Sequence, residues 1–168
     1  MKATDVIIYT DMDGTALTDW SLGPVVPERN LARIRAFVSA GGLFSVASGR
    51  QAPGILQLFP GVAFHAPLVC GNGSVIYDPA EQQVLRKTCL PADYKCACVS
   101  YFLTHPEVWI VAADETRIWQ IVSGDPARDD QLNDWPRPRM SIEDFLSGDY
   151  VKVVYILAEG GDMEALKH

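Results

Sequence analysis

The chain has 168 residues, enough for one ordinary domain or for a small domain plus part of a second. Its 48% apolar content forms a core and excludes a disordered chain. A net charge of −7 with no basic run excludes nucleic acid as an expected partner, and any phosphate ligand would need a local cation to offset the acidity.

No apolar run reaches the ~20 residues that span a bilayer. The longest, residues 151–158, is strand-sized and contains Lys152. The start, Met1-Lys2-Ala3-Thr4-Asp5, lacks the layout of a signal peptide, so the protein reads as soluble and cytoplasmic, with no membrane partner. The four cysteines, Cys70, Cys89, Cys96 and Cys98, lack zinc-ligand spacing and read as reduced thiols.

Residues 6–10, Val-Ile-Ile-Tyr-Thr, form a continuous β-rich run, expected to be a strand buried on both faces as in a parallel sheet. Pro27 and Glu28 suit the start of a helix that carries Leu31, Ile34 and Val38 and stops at Gly41-Gly42. Residues 43–47 are a second strand, residues 55–59 a short helix, and residues 68–70 a third strand. This alternation opens a doubly wound α/β sheet. Residues 75–77 and 84–85 flank Asp78-Pro79 and suggest a hairpin.

From about Pro91 a second, α+β unit begins. It comprises a helix over 94–103, paired strands over 108–113 and 118–122, and a proline-rich loop with a short helix over 126–139. Ser141 with Asp144 then resembles a capping box ahead of another helix, followed by a strand over 151–157. Asp162 reads as a further helix cap. The expected division is 1–90 and 91–168.

The chemistry is expected where the first strand ends, at Asp11-Met12-Asp13-Gly14-Thr15. Ligands of open α/β sheets bind beyond the carboxyl ends of strands, and residues two apart on a strand share a side. Asp11 and Asp13 could therefore converge on one small ligand, and a hard divalent cation would relieve their repulsion. A solvated Asp-Gly turn is the other reading of the same residues.

The string from Val6 to Leu17 resembles the first motif of the haloacid dehalogenase superfamily, and Val46-Ala47-Ser48-Gly49-Arg50 resembles the second. The run Leu68-Val69-Cys70-Gly71-Asn72-Gly73-Ser74-Val75-Ile76-Tyr77-Asp78 resembles the asparagine-glycine segment of its Cof-type branch, which carries a large α/β cap after the third strand. The resemblance implies an α/β, HAD-like Rossmannoid core, here incomplete, with part of an α+β cap. It further implies a Mg²⁺-dependent phosphohydrolase acting on small phosphorylated metabolites. Asp11 would be the nucleophile and Asp13 the general acid and base. The Asp11 side chain and the Asp13 carbonyl would hold Mg²⁺, and Ser48, Gly49, Arg50 and Asn72 would meet phosphate or substrate. Arg50 could equally be a surface residue at a helix start, and Asn72-Gly73 a structural turn.

Two later motifs of that superfamily are missing: a lysine, and a Gly-Asp segment that completes the metal site. Gly124-Asp125 with Asp129 fits its looser form, whereas Gly148-Asp149 and Gly161-Asp162 have Val153 and Leu166 where the second acid belongs. The chain therefore reads as truncated within the cap, with weak or no activity expected. Without the strand that follows the cap, the first strand would present an open apolar edge. Self-association, or a rearranged cap segment, is expected to cover it. The alternative function is a non-catalytic remnant that binds metal or phosphate, or only self-associates.

Overall fold

The computed structural model describes residues 2–17, 24–132 and 137–158. The chain divides into two compact units, Met1–Thr88 and Cys89–His168.

In the first unit, β1 (Ile7–Thr10) runs parallel to β2 (Leu43–Val46), with Ile7 opposite Leu43 and Thr10 opposite Val46. A parallel bridge between Ala47 and Val69 extends the order to β3 (Leu68–Cys70). Helix α1 (Glu28–Ser39) connects β1 to β2 after Pro27, which precedes its first turn, and the short α2 (Ala52–Leu56) lies between β2 and β3. At the end of α1 the chain turns through Gly41 at φ +89°, a left-handed conformation that glycine adopts without penalty. Its N–H bonds the carbonyl of Val38. The antiparallel β4 (Val75–Asp78) and β5 (Gln83–Lys87) form the expected hairpin beside β3.

Phe44, Phe59 and Phe64 are buried and form a ring cluster, with centroids 5.7 to 6.0 Å apart. Leu68, Ile55 and Val46 of the same unit are likewise buried, with no exposed surface.

One expectation fails. Strand β1 is not buried on both faces: Ile7, Ile8 and Tyr9 are 50%, 41% and 44% exposed. Among the described residues it pairs only with β2. The Val6 carbonyl accepts from Leu43 N, and the Thr10 carbonyl from Ala47 N. Backbone groups alternate sides along a parallel ladder, so the N–H and C=O of Ile7 and Tyr9 point to the open edge.

The second unit is a four-stranded sheet in the order β8 (Arg139–Met140), β7 (Ile118–Ile121), β6 (Val108–Ala113), β9 (Lys152–Leu157). Helices α3 (Ala92–Thr104) and α5 (Ile142–Ser147) supply Cys98, Val99, Phe102 and Phe145 to a core shared with Ile110, Ala112, Ile121 and Met140. The start of α5 is set as its sequence suggests: Ser141 Oγ accepts from Asp144 N at 3.0 Å. The Asp144 carboxylate turns back to the Ser141 hydroxyl at 2.7 Å. The end of α5 is held by Lys95, a buried lysine whose ammonium donates to the carbonyls of Leu146 and Gly148, both at 2.7 Å. A cation there also answers the negative end of the helix dipole. The proline-rich segment contains the expected short helix, α4 (Pro126–Asp129), and leads into the short β8, a strand that its composition does not announce, which runs parallel to β7.

At the tip between β6 and β7, Asp114 accepts from Thr116 N, Thr116 Oγ1, Arg117 N and Trp119 Nε1. Partial burial would raise its pKa, but these hydrogen bonds outweigh it and hold the carboxyl below its ordinary range.

Candidate active site

The first unit brings three chain segments together at the carboxyl ends of β1, β2 and β3. Asp11 follows β1 directly and is exposed. The next residue, Met12, is fully buried and anchors the turn: its carbonyl accepts from Thr15 N and Leu17 N at 3.1 and 2.9 Å. Gly14 takes the left-handed φ of +83° that this turn requires. Thr15 Oγ1 lies 3.4 Å from Asp11 Oδ2.

Ser48 follows the end of β2 and is buried. Its N–H donates to the Val69 carbonyl at 2.9 Å, and its own carbonyl accepts from Asn72 N at 3.1 Å. Its hydroxyl oxygen accepts from Arg50 N at 3.3 Å. Arg50 O in turn accepts from Gly71 N at 3.1 Å. Gly71, Asn72 and Gly73 all adopt left-handed φ, at 56°, 58° and 92°. Glycine and asparagine are the residues that tolerate this conformation, so the Asn-Gly signal in the sequence has a backbone cause.

The result is an open pocket of about 280 Å³ lined by Asp11, Ala47, Ser48, Gly49, Val69, Asn72 and Gly73. Four of the six sequence-nominated residues, Asp11, Ser48, Gly49 and Asn72, therefore share one concavity. The other two, Asp13 and Arg50, do not line it and pair with each other instead. Arg50 donates from Nε to Asp13 Oδ2 at 3.1 Å and from Nη2 to Asp13 Oδ1 at 2.7 Å. A larger cavity of about 400 Å³ on the same unit is walled mainly by Ile8, Val26, Ile34, Phe37 and Phe44, and has no carboxylate.

The looser acidic motif is structural. Asp129 is buried and accepts from Ser123 N, Ser123 Oγ and Gly124 N at 2.8, 2.9 and 3.0 Å. Asp125 caps α4 through Ala127 N at 3.0 Å. Both carboxylates serve their own loop, and no group of three or more histidine, cysteine or acidic residues able to hold a metal occurs among the described residues. Asp162 and its Gly-Asp pair lie outside the described residues. Cys70 and Cys98 are buried and Cys96 is exposed; all four cysteines are free. Burial pushes the Cys70 thiol up to about 11. No described helix is long and apolar enough to cross a membrane.

Comparisons with known proteins give the family and the fold. Residues 8–167 match the haloacid dehalogenase-like hydrolase family. The chain belongs to that family. It is 31% identical over 121 residues to the 5-amino-6-(5-phospho-D-ribitylamino)uracil phosphatase YbjI of Escherichia coli (strain K12), covering 72% of this chain and 43% of that protein. Its fold resembles a subclass IIB sugar phosphatase of the superfamily, with a TM-score of 0.69 and 16% identity over 96% of this chain and 62% of the other. A superfamily phosphatase from Bacteroides thetaiotaomicron gives a TM-score of 0.69 at 17% identity, covering 96% of this chain and 58% of that one. The chain thus spans between two fifths and two thirds of the length of these relatives, and its α/β architecture is theirs.

Proposed function

We propose that this chain carries the phosphoryl-transfer site of a Mg²⁺-dependent phosphohydrolase of small, sugar-phosphate-like metabolites. The observation that carries the reading is the rim pocket that Asp11 and Ser48 line together with Gly49 and Asn72, residue types suited to a phosphoryl group. Two of the relatives bear names that point to a phosphorylated ribityl chain and to sugar phosphates, which supports the substrate class.

The carboxylate of Asp11 attacks phosphorus as the bond to the leaving oxygen breaks, and Asp13 gives that oxygen its proton. Water then attacks the aspartyl-phosphate, loses a proton to Asp13, and releases phosphate and the Asp11 carboxylate. Ser48 and the adjoining backbone hold the phosphoryl oxygens throughout. The donors at the pocket are oxygens, which suits a hard cation that retains several waters. The Asp11 carboxylate and Asp13 carbonyl would hold Mg²⁺, which supplies charge neutralisation for the phosphoryl group. Hydrolysis of an aryl phosphate ester should therefore require Mg²⁺. Equal rates after exhaustive chelation would overturn the metal assignment.

The free thiols agree with a cytoplasmic setting. The exposed edge of β1 favours a second reading, in which a further copy of the chain covers Ile7 and Tyr9 whether or not the site turns over. Residues 7–10 contain no charge or proline to block strand pairing. Sedimentation should show a self-associated species that Ile7→Lys converts to monomer. A wild-type chain that is folded and strictly monomeric would eliminate that reading.

A further inference from the structure

We infer that Arg50 is a positioning residue for Asp13 and takes no part in gripping the phosphate. The inference rests on the proposed roles of Asp11 and Asp13. The backbone of Arg50 is fixed by the loops that build the pocket: its N–H donates to Ser48 Oγ, and its carbonyl accepts from Gly71 N. From that anchored position the side chain lies outside the pocket lining and reaches a residue 37 positions earlier in sequence. The contact is a two-point fork, Nε to Oδ2 at 3.1 Å and Nη2 to Oδ1 at 2.7 Å, so both oxygens of Asp13 are oriented at once. A planar guanidinium imposes this geometry, and a lysine ammonium cannot.

Both partners are partly exposed, with side-chain exposures of 27% and 39%. Solvent screens a pair of that kind, so its effect is directional and its contribution to stability small. The directional effect matters because Asp13 has two tasks. It delivers a proton to the leaving oxygen as that oxygen departs from phosphorus. It then receives a proton from the water that displaces Asp11. The Arg50 fork fits the carboxylate form of Asp13, the form present between those two transfers. Opening either of the two bonds leaves one oxygen available to carry the proton while the other remains fixed.

In the first step, a leaving group that needs no protonation should be indifferent to this device, and a poor leaving group should depend on it. With Arg50→Gln, kcat for an alkyl phosphate is expected to fall about tenfold or more. With an aryl phosphate bearing a good leaving group, the rate of aryl alcohol release in a single turnover should change less than about threefold, and KM should not rise by more than about threefold for either ester. Arg50→Lys should recover only part of the alkyl loss. An equal rise in KM for both esters would make Arg50 a phosphate ligand and overturn the inference.

A second measurement reads the contact without turnover. In the full chain, the Arg50 side-chain Nε–H resonance should be distinct, should collapse into the solvent-exposed arginine signals in Asp13→Asn, and should stay in place when inorganic phosphate is added. A resonance unmoved by Asp13→Asn, or displaced by phosphate, would overturn the inference even in an inactive chain. Hydrolysis that survived loss of Asp11 would instead defeat the phosphohydrolase reading, and the Asp13→Asn resonance test would still decide the Arg50 contact.

Discussion

Asp11→Asn is expected to abolish hydrolysis of both alkyl and aryl phosphate esters, a loss of about a thousandfold or more. The size follows from the role. A neutral amide at this position cannot form the acyl-phosphate, so the two-step route disappears and is not merely slowed. The substitution is nearly isosteric, and Asp11 is exposed, with the Thr15 hydroxyl at 3.4 Å as its described side-chain contact. The fold should therefore be unaffected, and an unchanged unfolding midpoint is the control. A second consequence separates nucleophile from acid. Asp13→Asn should spare an aryl ester with a good leaving group far more than an alkyl ester in the first step, whereas Asp11→Asn removes both. If Asp11→Asn retained wild-type rates, the nucleophile would lie elsewhere.

The largest structural effect is expected at Phe102. This ring is fully buried among Cys98, Val99, Ile110, Ile121 and Phe145 in the core of the second unit. The Arg128 guanidinium lies over it, 4.1 Å from the ring centre. The same guanidinium donates from Nη2 to the carbonyls of Phe102, His105 and Val108 at 2.7, 2.9 and 2.7 Å, tying the end of α3 to the start of β6. Phe102→Ala should destabilise the unit by about 3–5 kcal/mol through lost transfer energy and the cavity left behind. Loss of the cation's contact with the ring adds about 1 kcal/mol. Urea unfolding should show the midpoint falling with little change in slope. A loss below about 1 kcal/mol would mean that this core is not packed around the ring.

Much of this architecture is legible in the residues themselves. The strands over 43–46, 68–70 and 108–113 are announced by apolar β-branched and aromatic runs, and α5 by its Ser141–Asp144 cap. The rim position of Asp11, Ser48 and Asn72 follows because each comes directly after, or close behind, the end of β1, β2 or β3, with β1 and β2 paired in parallel and β3 bridged in parallel to the residue after β2. What failed is informative. The run Ile7-Ile8-Tyr9 specifies a strand but not its neighbours, so its exposure depends on which other strand is present, a non-local fact. The two-residue β8 is hidden in a proline-rich stretch because it is stabilised by pairing with β7 and not by its own composition. The fork between Asp13 and Arg50 spans 37 positions and leaves no local signature. Asp125 and Asp129 show that spacing alone is ambiguous: their Gly-Asp spacing fits the looser metal motif, and the same spacing caps a short helix and closes a loop.

The most direct test exposes the chain to an activated phosphoryl donor with Mg²⁺, quenches it in acid and maps the modified peptide by mass. One phosphoryl group on the carboxylate of Asp11, absent from Asp11→Asn, is the result predicted here. A label on Asp13 or on any other side chain, or none under conditions where hydrolysis proceeds, would contradict the nucleophile assignment.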